Sequence, residues 1–236
     1  MDQPFFKVVV AGAEHFDFAP LICEEMAASA KARGTGIARR SPEYLQEKMA
    51  EGKAVIAYSP EGEWAGFCYI ETWSHGQYVA NSGLIVSPRF RKSGLARLIK
   101  RKIFELSRSK YPEAKIFGLT TGLAVMKINS ELGYEPVTYS ELTNDEAFWA
   151  GCKSCINYDI LMSKERKNCL CTAMLFEPGE PLQPGAATPE HRQVVAGTAD
   201  PSQRLLTQVF ALIRDWKAAR AQQKKQAVPT QVAAQL

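Results

Sequence analysis

The chain has 236 residues, 46% apolar and 23% charged, which fits one sizeable folded body plus an extension and excludes wholesale disorder. No apolar run approaches the ~18–20 residues of a membrane span, and the opening MDQPFFKVVV lacks the basic start and apolar stretch of a secretion signal. Twenty-nine basic against 25 acidic side chains leave +4, too mild to imply nucleic acid, and six cysteines without a signal peptide point to a reducing, cytoplasmic setting.

In chain order, FFKVVVAG reads as a strand and Phe16 to Arg33 as a helix. Ser41-Pro42 is an N-cap followed by proline at the first helical position, opening a short helix to about Met49. KAVIAYSPEGEWAGFCYIETW is two strands around a Pro-Glu-Gly turn, and QYVANSGLIVSP is a third that runs into a basic loop. LARLIKRKIFELSRSKY is amphipathic, with Leu95, Leu98, Ile99, Ile103 and Leu106 inward and Lys or Arg outward. AKIFGLTT is a buried strand, AVMKINSELG a helix closing on Gly133, and YEPVTYSEL a further strand. The order β-α-α-β-β-β-α-β-α-β predicts an α/β (α+β) body over residues 1–176, a mixed sheet with helices on both faces.

Beyond Phe176 the composition changes. Six of the 13 prolines fall after residue 177, and 177–201 reads as a Pro/Gly-rich linker. From 202 to 226, Leu205, Leu206, Val209, Phe210, Leu212, Ile213 and Trp216 recur at helical spacing. That helix either docks on its own body or offers its apolar face to a second copy or another partner. Residues 227–236 read as a disordered tail.

The most informative segment is Val86-Ser87-Pro88-Arg89-Phe90-Arg91-Lys92-Ser93-Gly94-Leu95-Ala96. A strand ends, a basic turn follows, and a helix begins at Gly-x-Ala. Unpaired amides and the positive dipole end of a helix start form a site for phosphate. Nine of the 29 basic residues lie between Arg89 and Lys110. Stacking aromatics are not interleaved with them, which argues against nucleic acid.

Arg91-x-x-Gly94-x-Ala96 after Val86-x-Pro88 resembles the acetyl-CoA loop of the GNAT-type N-acyltransferases, and the element order is the one that family uses. The resemblance spans roughly residues 5–163. It implies a GNAT-like, mainly antiparallel sheet flanked by helices, and acetyl-CoA as co-substrate with a small-molecule amine as acceptor. It also implies that Arg91, Lys92, Ser93, Gly94, Leu95 and Ala96 hold the pyrophosphate, while Leu84, Ile85 and Val86 pair with the pantetheine arm. Within the family, Ala38-Arg39-Arg40-Ser41-Pro42-Glu43-Tyr44-Leu45, Leu119-Thr120-Thr121 and Leu132-Gly133-Tyr134-Glu135-Pro136-Val137 are similar to elements of the acetyltransferase domain of N-acetylglutamate synthase. That likeness implies an amino-acid acceptor such as glutamate, with Arg39 and Arg40 as its carboxylate ligands.

The pattern also has departures. Where many family members carry a proton-donating Tyr, this chain has Asn129, which is placed with the CoA-binding residues. Tyr134 and Tyr139 are the nearby phenols. The strand before the loop lacks the synthases' Glu. Glu71 on the neighbouring strand is therefore the base expected, with His75 as runner-up. The synthases' Arg-x-Ser before the final strand is replaced by Ile156-Asn157-Tyr158-Asp159. These gaps leave open a second reading, a CoA-binding or regulatory module that acts through a protein partner.

Cys152-x-x-Cys155 and Cys169-x-Cys171 could furnish an all-thiolate structural zinc site. A redox-active pair and plain buried thiols are the alternatives. If INYDILMS and CLCTAML form a tight hairpin, Cys155 and Cys169 stand ~20 Å apart at ~3.3 Å per residue, which opposes zinc. Cys23 and Cys68 read as core residues.

Overall fold

The computed structural model describes residues 6–34 and 39–179. Strand β1 (Lys7–Val10) leads through a 3-10 turn into helices α1 (Ala19–Arg33) and α2 (Pro42–Ala50). Ser41 caps α2 by accepting from the Tyr44 amide at 3.3 Å, with proline next, as the sequence implies. Strands β2 (Ala54–Tyr58), β3 (Trp64–Trp73) and β4 (Tyr78–Val86) form a meander, and helix α3 (Leu95–Lys110) follows. Strand β5 (Lys115–Thr120), helix α4 (Leu123–Glu131) and strand β6 (Glu135–Val137) come next. Two short helices, α5 (Glu146–Ala150) and α6 (Tyr158–Ser163), precede the last strand, β7 (Thr172–Phe176). Of the expected 177–201 linker, residues 180–201 lie outside the described residues, as do the 202–226 helix and the 227–236 tail.

The seven strands run in the order β1-β2-β3-β4-β5-β7-β6. Every neighbouring pair is antiparallel except β4 and β5. Strand alternation separates two faces. Cys68, Ile70, Val79, Ile116 and Met174 face α3 and α4. Phe67, Tyr69 and Ile85 face α1 and α2, while Phe117, Ala173 and Leu175 face the α5–α6 cluster. Among the described residues no helix is long and apolar enough to cross a membrane.

Three details differ from the sequence reading. INYDILMS contains helix α6 rather than a hairpin strand, because so short a segment of mixed polarity carries no decisive period. YEPVTYSEL supplies only the three-residue β6 before a 3-10 turn at Tyr139–Glu141. On α3, Leu98 is exposed while Lys100 and Phe104 are buried, so the inward stripe is rotated toward Lys100.

Candidate active site

The parallel pair β4–β5 is joined only at Tyr78↔Lys115, Val79↔Ile116 and Ala80↔Phe117. Beyond Ala80, β4 stays on β3 as far as Val86 while β5 stays on β7 as far as Thr120. The two strands therefore part like a fork. Among the described residues, the inner edge of β4 over Asn81–Val86, including Leu84, Ile85 and Val86, has no strand partner there. An extended amide chain could pair with that edge as a further strand would.

At the open end of the fork the loop before α3 is shaped as an anion cradle. Lys92 (φ 66°) and Gly94 (φ 85°) both adopt the left-handed conformation, which turns successive amides toward one side. Among the described residues, the amides of Lys92, Ser93 and Gly94 have no hydrogen-bond partner. Those of Leu95 and Ala96 are free first-turn donors of the helix. A Cβ at Gly94 would meet nothing within 4 Å, so glycine serves the backbone conformation there rather than clearance.

The loop's positive side chains are largely engaged elsewhere. Arg91 donates to the Val86 carbonyl at 3.2 Å, and its guanidinium reaches Glu25 (2.7 Å) and Ser29 (2.8 Å) on α1. Arg89 pairs with Glu63, and Arg97 forks onto Glu131 at 2.6 and 2.8 Å. Ser93 Oγ closes on the Phe90 carbonyl at 2.7 Å. Backbone donors, with Lys92 beside them, make up the cradle.

On the α1–α2 face, register places Glu71 opposite Ala80, level with the fork. Its Oε1 accepts from Arg40 (2.8 Å) and from the Tyr44 hydroxyl (2.7 Å), while Arg40 Nε donates to Tyr69 Oη at 3.1 Å. Burial opposes the Arg40 charge, but Tyr69 and Glu71 outweigh it and hold the guanidinium firmly protonated. Burial and the Glu71 charge push the Tyr44 phenol upward. Oε2 of Glu71 has no partner among the described residues. Beside it lies a recess of about 100 Å³ bordered by Tyr44, Lys48, Lys53, Thr72 and Trp73. Arg39 is exposed, whereas Arg40 is turned onto Glu71. His75 sits in the β3–β4 turn with φ 56°, lining a separate open cleft of about 490 Å³ with Trp73, Tyr111 and Asp145.

Gly83 shapes the same region from β4. Its φ is 64°, and the β3–β4 register shifts between Phe67 and Tyr69, opposite it. A Cβ at this position would lie 2.9 Å from Tyr69 Cδ1, and closer still to Cε1, so the bulge exists in a form only glycine fits.

On the α3 face the fork is backed by a polar cluster that no sequence motif announces. Asn81 Oδ1 accepts from Lys100 Nζ and from the Tyr134 hydroxyl, both at 3.1 Å, and its amide donates to Ser107 Oγ at 2.8 Å. Lys100 is 2% exposed. Burial lowers its pKa to about 8, only partly opposed by Cys68. Burial likewise pushes the Tyr134 phenol well up. Asn129 is 1% exposed, with its amide near Met174 Sδ and its Oδ1 buried without a partner. That orphaned acceptor suits an amide-bearing ligand such as the pantetheine arm. Tyr139 instead donates to the Cys171 carbonyl at 2.9 Å.

The four clustered cysteines are free and partly buried. Burial, with the neighbouring thiols adding to it, raises Cys152 and pushes Cys171 up to about 12.

Solved structures share the overall fold. N-acetylglutamate synthase from Neisseria gonorrhoeae, complexed with coenzyme A and N-acetyl-glutamate, superposes with a TM-score of 0.53 at 17% identity, over 75% of this chain and 36% of that one. A protein from Salmonella typhimurium solved with its cofactor acetyl-CoA gives 0.52 at 12% identity, over 78% and 99%. The chain has the GNAT acetyltransferase fold. The sheet and helix arrangement expected from the resemblance is therefore present. In sequence, the chain is 27% identical over 147 residues to thialysine N-epsilon-acetyltransferase of Caenorhabditis elegans, covering 61% of this chain and 89% of that protein. No protein-family model matches the sequence. The chain spans about a third of the gonococcal synthase, so that enzyme's substrate is not transferred with the fold.

Proposed function

We propose that the protein moves an acetyl group from acetyl-CoA to the amine of a small metabolite, an amino acid such as glutamate. The observation that carries this reading is the β4–β5 fork, with an amide cradle at its open end and Glu71 in register with its apex. The thialysine acetyltransferase relative supports an amine acceptor carried by an amino acid. Six free thiols support a reducing, cytoplasmic setting.

In this mechanism the amides of Lys92 to Ala96 hold the pyrophosphate, and the free β4 edge aligns the pantetheine arm. Asn129 Oδ1 accepts one of that arm's amides. Glu71, held in place by Arg40, takes the amine's proton on Oε2. The amine nitrogen bonds to the thioester carbon, β4 amides stabilise the oxyanion, and the carbon–sulfur bond breaks. Tyr134, on the other face of the fork, supplies the proton to the departing thiolate. Tyr139, bonded to Cys171, supports the fold rather than the chemistry. Arg40 acts by holding Glu71, which leaves Arg39 and the lysines at the 100 Å³ recess for an acceptor carboxylate.

An acetyl-CoA-dependent thiol-release screen across free amino acids, polyamines, aminoglycosides and peptides tests the reading. Turnover with an amino acid is the expected result. Tight CoA binding with no release from any acceptor would instead favour a regulatory CoA-binding module, the reading that Asn129 at the usual Tyr position favours.

A further inference from the structure

The α5–α6 segment lies outside the machinery described above, yet it gathers four thiols. Cys152 sits in the turn that follows α5, and the Cys155 amide donates back to its carbonyl at 2.9 Å. The Asn157 amide donates to Cys155 Sγ at 3.4 Å, so this sulfur already receives a backbone N–H two residues on. The carbonyl of the same Asn157 faces Cys169 Sγ at 3.8 Å. One residue thus bridges the two cysteine pairs. Cys152 and Cys169 pack against the same cluster of Tyr139, Trp149 and Leu161. Cys171 is tied to that cluster by the Tyr139 hydroxyl on its carbonyl.

The hairpin that would have separated Cys155 from Cys169 does not form. Helix α6 and the turn at Glu165–Arg166, both with positive φ, fold the chain back so that the second pair returns to the first.

We propose that Cys152, Cys155, Cys169 and Cys171 hold one structural Zn²⁺, which pins the α5–α6 excursion to the start of β7. Four thiolates in two short-spaced pairs, with no histidine and no open position, match a closed tetrahedral site with Zn–S near about 2.3 Å. As they stand, the thiols are not arranged around one centre, and among the described residues no group of three or more His, Cys, Asp or Glu is posed to hold a metal. Closing the site needs side-chain rotation, and a change of χ1 well carries a sulfur by about 3 Å. Binding releases the thiol protons and replaces four half-buried S–H groups with metal bonds.

The test uses the full chain, expressed in zinc-containing medium and purified without added metal or chelator. Elemental analysis is expected to find about one zinc per chain, released in step with mercurial titration of four thiols. Replacement by Co²⁺ is expected to give the intense visible bands of a tetrahedral thiolate site. The variant in which all four cysteines are changed to Ser is expected to retain no metal. Less than a tenth of an equivalent of zinc in the parent protein would overturn the proposal, whether its thiols are free or disulfide-linked. Retention of zinc by the four-serine variant, or an octahedral Co²⁺ spectrum, would do the same. The wild-type metal content is readable even if the variant does not fold, and none of these readouts depends on acetyl transfer.

Discussion

Gly83→Ala tests whether the β4 bulge, the Tyr69 ring and the Arg40–Glu71 pair form one mechanical unit. The added Cβ would sit 2.9 Å from Tyr69 Cδ1 and 3.1 Å from Met26 Cε, inside ordinary contact distance on two sides. Holding alanine at φ 64° costs about 1–2 kcal/mol, and overpacking a buried site adds about 1–3 kcal/mol. Reduced freedom of the unfolded chain returns about 0.4–1 kcal/mol. The net is a loss of roughly 1–4.5 kcal/mol, read from urea unfolding followed by far-UV circular dichroism. Tyr69 Oη is an acceptor for Arg40, so a displaced ring also loosens the hold on Glu71, and turnover is expected to fall at least tenfold. In a Tyr69→Ala background the clash with the ring vanishes, and Gly83→Ala is expected to cost its conformational share and the smaller contact with the flexible Met26 end. A loss under about 0.5 kcal/mol in the parent, or an equal loss in both backgrounds, would refute the coupling.

Glu71→Gln keeps acceptors for Arg40 and Tyr44 but removes the base, so turnover is expected to drop ~10²–10⁴-fold with acetyl-CoA affinity intact; near-normal turnover excludes the role. Gly94→Val forces a β-branched residue to φ 85° and is expected to weaken acetyl-CoA at least tenfold in calorimetry, while circular dichroism shows a folded domain. Unaltered binding would discard the amide cradle. Lys100 has a pKa of about 8 in the fold and about 10.4 when unfolded. The folded state therefore carries a penalty below pH 8 that is relieved as pH rises toward 10.4, because there the unfolded chain binds the extra proton. Stability should rise over that window by up to about 3 kcal/mol from this group. In Lys100→Met the rise should disappear, and a variant that keeps it would show that the ammonium is not desolvated.

What the sequence revealed and what it concealed follow from the range of the interactions. The turn we propose as the phosphate cradle was legible because Gly94, the strand before it and the helix after it are encoded within a dozen neighbouring residues. The engagement of Arg91 with Glu25 is not, since 66 positions separate them and only the packing of α1 beside the loop brings them together. Lys100 was hidden for a related reason. It and Leu98 flank Ile99 on α3, each about 100° away around the helix, and only the position of Asn81 and Tyr134 decides which flank is buried. The Arg39–Arg40 pair looked like a carboxylate clamp because charge alone is visible in a sequence. The structure gives Arg40 an internal carboxylate, Glu71, at 2.8 Å. An acceptor carboxylate bound by Arg40 would have to compete with the proposed base, so a residue that holds the base in place is poorly suited to grip substrate as well. On the proposed reading the acceptor carboxylate falls to Lys48, whose ammonium faces Glu47 and Glu51 only at 3.7 and 3.8 Å. Replacing Lys48 should raise the acceptor KM and leave kcat nearly unchanged, whereas replacing Arg40 should lower kcat. The reverse pattern would return Arg40 to the substrate.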